Sequence, residues 1–311
     1  MLILRKLTVS LLDRAVVTLL PAVPKPVIRR ISSRYIAGSE LADARRVVAE
    51  LNASGKLATV DVLGEEITRV DEAEAITQAY LDVLDAIDED GLEANVSVKL
   101  TGLGLKLDPG LCGENLRRIA QKAMTQGGSF VRIDMEDSST TDATLALYRE
   151  LVGEGFENVG VVLQAALRRT VDDARSLAGA NVRLCKGIYI EPPELAFRDF
   201  DAVRASYVQA LDLLLEGGCY VGIATHDEWL VEQGRRAVGD RGLDPGAYEF
   251  QMLLGIRAEL GDRLVRDGHR LRIYVPFGRQ WYEYSLRRLQ ENPKIAGYVA
   301  GDIGRSIFRR R

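Results

Sequence analysis

NVSVKL, residues 95–100, is a short, largely apolar run that opens on an asparagine and carries Lys99 near its end. A parallel strand buried on both faces reads this way. Seven further runs share the pattern, each bounded by Gly, Asn or Pro: ATVDVLG (58–64), FVRIDM (130–135), VGVVLQ (159–164), NVRLCK (181–186), YVGIAT (220–225), EFQMLL (249–254) and LRIYVP (271–276). Helical patterns lie between them. VDEAEAITQAYLDVLDAI (70–87) is expected to turn Ala75, Tyr80, Val83, Leu84 and Ile87 to one side, and DAVRASYVQALDLLLEGG (201–218) stops at glycine. Strands alternating with helices imply right-handed crossovers and a parallel sheet. Eight such units in roughly 240 residues predict an α/β fold, a (βα)8 TIM-type barrel. A doubly wound open sheet is the alternative, although no G-x-G-x-x-G follows the first strand.

The chain has 311 residues, 47% hydrophobic and 28% charged, as expected of a soluble globular protein. At this length it needs no disulfide or metal to fold. The net charge of −4, with both signs mixed, points away from nucleic acid as a partner. Cys112, Cys185 and Cys219 are sparse and odd in number, which suggests a reducing compartment and a cytoplasmic location. Arg5, Lys6, Asp13 and Arg14 interrupt the apolar N-terminus, so no membrane span is expected there, and no convincing small-residue cleavage site marks a signal peptide. Leu11, Leu12, Val16 and Leu19 fall at helical spacing, and ELADARRVVAELNASG (40–55) reads as a second helix. Residues 1–57 are therefore expected to be a helical extension packed on the barrel, and residues 58–311 the barrel itself. The basic end FRRR (308–311) reads as a frayed tail.

In such a barrel, ligands meet the C-terminal ends of the strands. Those ends carry Lys99, Asp134 with Glu136 and Asp137, Gln164, Arg183 with Lys186, Gly187 and Tyr189, then Thr225, His226 and Asp227, Gln251 and Tyr274. So many polar groups converging on one rim imply a ligand. Downstream, YSLRRLQE (284–291) brings Tyr284, Arg287, Arg288 and Glu291 to one face of a helix. Two adjacent guanidiniums suit a small carboxylate. With Lys99, Arg183 and Lys186 they predict an anionic ligand, or two: a carboxylate and a pyrophosphate. The structural reading pairs Lys99 and Lys186 with Asp134 or Glu136, and Asp134 with an arginine of the rim. His226 reads as a hydrogen-bonding residue. No H-x-H or H-E-x-x-H supports a metal.

Together, VSVKL, RIDMED, VVLQA, RLCKGIYIEP, ATHD, YEFQMLLG and RIYVPFGRQWYEYSLRRLQENP resemble the proline dehydrogenases, which also occur as one domain of bifunctional proline-utilisation enzymes. The resemblance runs in order from DVLGEE (61–66) to the last helix. It implies an FAD enzyme on a distorted (βα)8 barrel with a C-terminal helix over the barrel mouth. The implied reaction is oxidation of L-proline to Δ1-pyrroline-5-carboxylate by hydride transfer to flavin N5. This is the first step of proline catabolism, and the electrons pass to a membrane quinone. The resemblance assigns Asp134 and Arg183 to catalysis, with Arg183 at the reactive end of the flavin. Arg287 and Arg288 are implied to grip the substrate carboxylate, Glu291 to hold those arginines, and Lys99 to add charge beside them. Tyr274 and Leu253 are implied to pack on the proline ring, with Tyr284 beside it. Met135, Gln164, Arg183, Lys186, Gly187, Ile188, Thr225 and His226 match positions that line FAD. Peripheral contact with the inner face of the cell membrane, and coupling to a pyrroline-5-carboxylate dehydrogenase, are further implications. Many bifunctional members carry an aromatic pair after K-G-x. Here Tyr189 is followed by Ile190, so the monofunctional type is the closer match. Residues 1–57 carry little of the signature apart from RYIAG (34–38).

Three other readings stay open. A hydroxyproline dehydrogenase is one, though Tyr274 leaves less room for a hydroxyl. A Schiff-base aldolase acting through Lys99 or Lys186 is the second. The third is a barrel retained as a binding module, which would be expected to have lost rim residues.

Overall fold

Strand β1 (Leu57–Val62) pairs with β2 (Ala94–Val98), and parallel pairing continues in chain order through β3 (Val131–Ile133), β4 (Val159–Gln164), β5 (Asn181–Cys185), β6 (Tyr220–Ala224), β7 (Tyr248–Leu253) and β8 (Leu271–Phe277). β8 then pairs with β1, placing Thr59 opposite Tyr274 and closing the barrel. This computed structural model describes residues 28–286, except 30–31, 66, 127–128 and 283. The N-terminal amphipathic pattern, Arg287, Arg288, Glu291 and the basic tail lie outside the described residues. Helices α1 (Leu41–Ala53), α2 (Val70–Glu89), α3 (Pro109–Thr125), α4 (Thr141–Gly153), α5 (Thr170–Arg175), α6 (Phe200–Glu216), α7 (Glu228–Asp240) and α8 (Ala258–Arg266) ring the sheet. Helix α1 precedes the first strand and packs on β1 and β8.

Side chains alternate along each strand. Val60, Val96, Val98, Val131, Val161, Leu184, Ile223 and Phe250 are buried in one core with helix residues such as Tyr80, Leu84, Leu116, Ile119 and Leu211. Helix α2 buries Ala73, Ile76, Thr77, Tyr80, Val83, Leu84 and Ile87, whereas Ala75 is exposed. Ala73, Ile76 and Thr77 continue the i, i+3, i+4 stripe of the later residues, and Ala75 falls off it. Several strands are shorter than their apolar runs. β3 stops at Ile133, so Asp134, Met135 and Glu136 already belong to the loop at the mouth.

Many buried positions on the barrel strands are polar, among them Asp61, Ser97, Arg132, Arg183, Glu249 and Gln251. Glu249, on β7, takes Arg272 Nε at 2.7 Å, Gln251 Nε2 at 2.5 Å and the Tyr220 hydroxyl at 3.0 Å. Burial would raise the Glu249 carboxyl, but Arg272, Gln251 and Arg132 together outweigh it and hold the group below its usual range. Arg132 is 2% exposed and donates to the carbonyls of Val161 and Asn181 at 3.0 and 2.7 Å. Glycine makes the room: a Cβ at Gly160 would lie 2.4 Å from the Asn181 carbonyl oxygen and 2.6 Å from Arg132 Nη1. Gly160→Ala must displace backbone as well as the arginine, and should cost about 1–3 kcal/mol. Thermal unfolding measures this; an unchanged midpoint would show that the sheet yields without cost.

Candidate active site

Asp134 stands at the centre of the mouth, just past the end of β3. Its Oδ1 accepts from Arg183 Nη1 and from the Ser97 hydroxyl, each at 2.6 Å, and its Oδ2 accepts from the Tyr274 hydroxyl at 2.8 Å. Four strands, β2, β3, β5 and β8, thus meet on one carboxylate. Arg183 is 7% exposed and is further anchored by Gln251 Oε1, at 2.5 Å from Nε. Its Nη2 makes no hydrogen bond among the described residues and is the edge open to a ligand. Burial, then the Asp134 and Asp61 carboxylates, push the Tyr274 phenol well above its usual range, so it keeps its proton and donates.

Lys99 follows β2 and lies 2.5 Å from Asp61 Oδ1, with the Tyr274 hydroxyl 3.3 Å from Nζ. Burial alone would lower the ammonium, but Asp61 and its neighbours outweigh it, leaving Lys99 well above the ordinary lysine value. Asp61 is fully buried, and burial raises its carboxyl despite Lys99. Its Oδ1 also accepts from the Tyr80 hydroxyl at 3.3 Å, while Oδ2 is buried without a hydrogen-bond donor among the described residues. Such an orphan costs about 1–3 kcal/mol. Asp134 thus takes an arginine of the rim, as the sequence reading expected, but the two rim lysines pair differently. Lys99 takes Asp61 rather than Asp134 or Glu136, because Ser97 pairs with Asp61 in register and Lys99 is the diagonal neighbour two residues on. Lys186 takes Asp227, at 3.6 Å. Glu136 is held by the Thr101 backbone N–H at 2.9 Å and its hydroxyl at 2.5 Å.

The residues matched to a flavin site line the same mouth between β3 and β7. Gln164 donates to the carbonyls of Met135 and Glu136 at 3.1 and 2.7 Å. Gly187 has φ +92°, and a Cβ there would meet Gln164 Oε1 at 2.8 Å, so only glycine lets this turn approach the end of β4. Ile188 is 40% exposed beside it. His226 Nε2 accepts from the Leu253 backbone N–H at 2.9 Å, and the Thr225 hydroxyl accepts from Asp227 N–H at 3.1 Å. An open guanidinium edge, a half-buried lysine and an uncovered apolar side chain suit a planar ring whose edge carries acceptors, so the set fits a flavin. Tyr284 is buried against Tyr35, Ile36 and Leu63 at the start of the last described segment. The sequence reading missed Asp61 and Ser97 and gave Gln251 no role. A lone carboxylate inside the apolar run ATVDVLG was the available signal for Asp61.

A family model described as proline dehydrogenase matches residues 44–300. Fold and family thus define an oxidoreductase acting on a CH–NH bond, built on a TIM-type barrel. The proline dehydrogenase of Deinococcus radiodurans is 38% identical over 277 residues, covering 86% of this chain and 88% of that protein. Proline dehydrogenase 1 of Bacillus subtilis is 37% identical over 272 residues, covering 87% and 89%. The chain belongs to the proline dehydrogenase family. Among solved structures, proline utilization A (PutA) from Bdellovibrio bacteriovorus superposes with a TM-score of 0.79 at 26% identity; the match covers 85% of this chain and 33% of that one, so this chain spans about a third of its length.

Proposed function

We propose that this chain oxidises L-proline to Δ1-pyrroline-5-carboxylate with FAD, as the first step of proline catabolism, and that the electrons pass to a membrane quinone. The observation that carries the reading is the Asp134 junction, which ties the flavin-side Arg183 to the substrate-side Tyr274. When bound, FAD would supply an acceptor, at N5, for the hydride leaving the ring carbon beside the proline nitrogen. The chain's own residues bind and orient. Arg287 and Arg288, held by Glu291, grip the carboxylate in this proposal, while Tyr274, Leu253 and Tyr284 bound the ring. Lys99 keeps its ammonium and so disfavours a second positive charge on the substrate amine nearby. Met135, Gln164, Arg183, Lys186, Gly187, Ile188, Thr225 and His226 hold the cofactor, with residues 1–57 an extension on the barrel of 58–311. No helix among the described residues is long and apolar enough to cross a membrane. A cytoplasmic site with peripheral membrane contact belongs to the same proposal, as does a dehydrogenase that consumes the product. The bifunctional protein PutA of Escherichia coli is 26% identical over 320 residues, covering 24% of that protein.

The test is the visible absorption spectrum of the purified protein, followed by L-proline without oxygen. Flavin bands that bleach with proline, and more slowly with trans-4-hydroxyproline, are expected. Bands that bleach only with hydroxyproline would move the substrate. A colourless protein that FAD cannot reconstitute would overturn the proposal. A Schiff base at Lys99 is disfavoured on physical grounds, since a lysine held protonated by a buried carboxylate is a poor nucleophile.

A further inference from the structure

Glu249 is 2% exposed and shares one face of β7 with Gln251, nearer the start of the strand. Side chains from three strands fix its carboxylate. Oε1 accepts from Arg272 Nε on β8 at 2.7 Å and from Gln251 Nε2 on β7 itself at 2.5 Å, while Oε2 accepts from the Tyr220 hydroxyl on β6 at 3.0 Å. Burial, then the Glu249 carboxylate, push the Tyr220 phenol above its usual range, so it keeps its proton and donates. Arg272 is pinned in turn, through Nη1, to the Ala58 carbonyl at 2.7 Å. A buried carboxylate with both oxygens satisfied in this way is a fixed point inside the barrel.

Gln251 carries that fixed point to the mouth. Its amide has two unlike ends, one accepting and one donating. Arg183 Nε can only donate, so it takes Oε1, at 2.5 Å; Nε2 must then face an acceptor, and Glu249 supplies it. Without that acceptor the amide is free to turn its NH2 toward Arg183, where two donors would face each other. Glycine makes room for the amide: Gly222 stands opposite Glu249 on β6, and a Cβ there would lie 2.5 Å from Gln251 Nε2. Arg183 is thus held at two points, by Asp134 at Nη1 and by Gln251 at Nε. A planar guanidinium fixed at two of its nitrogens cannot swing, so the third, Nη2, is aimed.

We propose that Glu249 is a positioning residue for proline oxidation: acting through Gln251, it fixes Arg183 Nε and so aims the Nη2 edge at the reacting centre. The proposal rests on the reading that Arg183 serves flavin and proline in the mouth. Glu249→Met alone strands Arg272 in the interior and endangers the fold. The test therefore uses Glu249→Met/Arg272→Met, which removes the buried pair together, and Gly222→Ala, which displaces the amide and touches no charge. Each is compared with wild type as the full-length, flavin-loaded chain. The readouts are kcat and KM for L-proline, the unfolding midpoint, and hydrogen exchange at the Arg183 Nε–H, followed by NMR and identified by its loss in Arg183→Lys. Both variants should lower kcat about tenfold or more, leave KM within about twofold, and speed that exchange about tenfold or more. Adding Gln251→Met to Glu249→Met/Arg272→Met should cost nothing further, because both changes cut one route. Lower stability with wild-type kcat would overturn the proposal and leave Glu249 a structural residue. So would a fallen kcat with exchange as slow as in the wild type, or a full further loss on adding Gln251→Met. A wild type that does not oxidise proline would overturn the proposed function and this proposal with it, a failure visible before any variant is made.

Discussion

Replacing Arg183 with methionine is expected to lower kcat/KM for L-proline by about two to three orders of magnitude, the usual loss when a preorganised donor at a reacting centre is removed. The fold should lose about 3–5 kcal/mol as well, because taking one partner from a buried ion pair strands the other. Asp134, 9% exposed, would keep only Ser97 and Tyr274 as donors. Methionine fills the volume, so a cavity does not confuse the result. Arg183→Lys separates charge from shape. It should restore part of the stability but little of the turnover, since a single ammonium cannot reach both Asp134 and Gln251 and still present an edge to a ligand. Steady-state kinetics with denaturant unfolding measures both effects. Turnover near wild type in Arg183→Met would remove this arginine from the reaction.

The second large effect belongs to Asp61, which the sequence reading passed over. Asp61→Asn keeps the shape and an acceptor for Lys99 but removes the counter-charge. The loss should be about 3 kcal/mol, at the lower end for a broken buried pair. Lys99 has its pKa raised in the folded protein. Its stabilisation is therefore complete below the ordinary lysine value and is lost only as pH rises through the folded value. In Asp61→Asn the alkaline unfolding midpoint should move to lower pH, and the KM for proline should change through the displaced lysine. An alkaline limb identical to wild type would show that Asp61 does not hold the Lys99 proton.

The barrel was legible because its cause is local and repeated. A parallel strand covered on both faces must be apolar almost throughout, and ATVDVLG, NVSVKL and VGVVLQ show that directly. The rim residues were legible for a related reason. Lys99, Asp134, Gln164, Lys186 and His226 close or follow apolar runs, and such ends face the mouth. Pairing was not legible. Whether Lys99 meets Asp61, Asp134 or Glu136 depends on stagger between strands, which composition does not carry. Ala75 shows the same limit within one helix, since a single residue off the stripe is not betrayed by its type.

By itself the sequence determined the alternation of strand and helix, the number of units, the polar rim and, through its signature segments, the family. All of these follow from residues near one another in the chain, or from order along it. Only the tertiary structure decided that Asp134 would join four strands, that Gly160 would make room for Arg132, that Asp227 would serve both Lys186 and Arg204, and that Gln251 would lie between Arg183 and Glu249. These depend on closure, because the shear of a closed sheet sets which inward side chains share a layer.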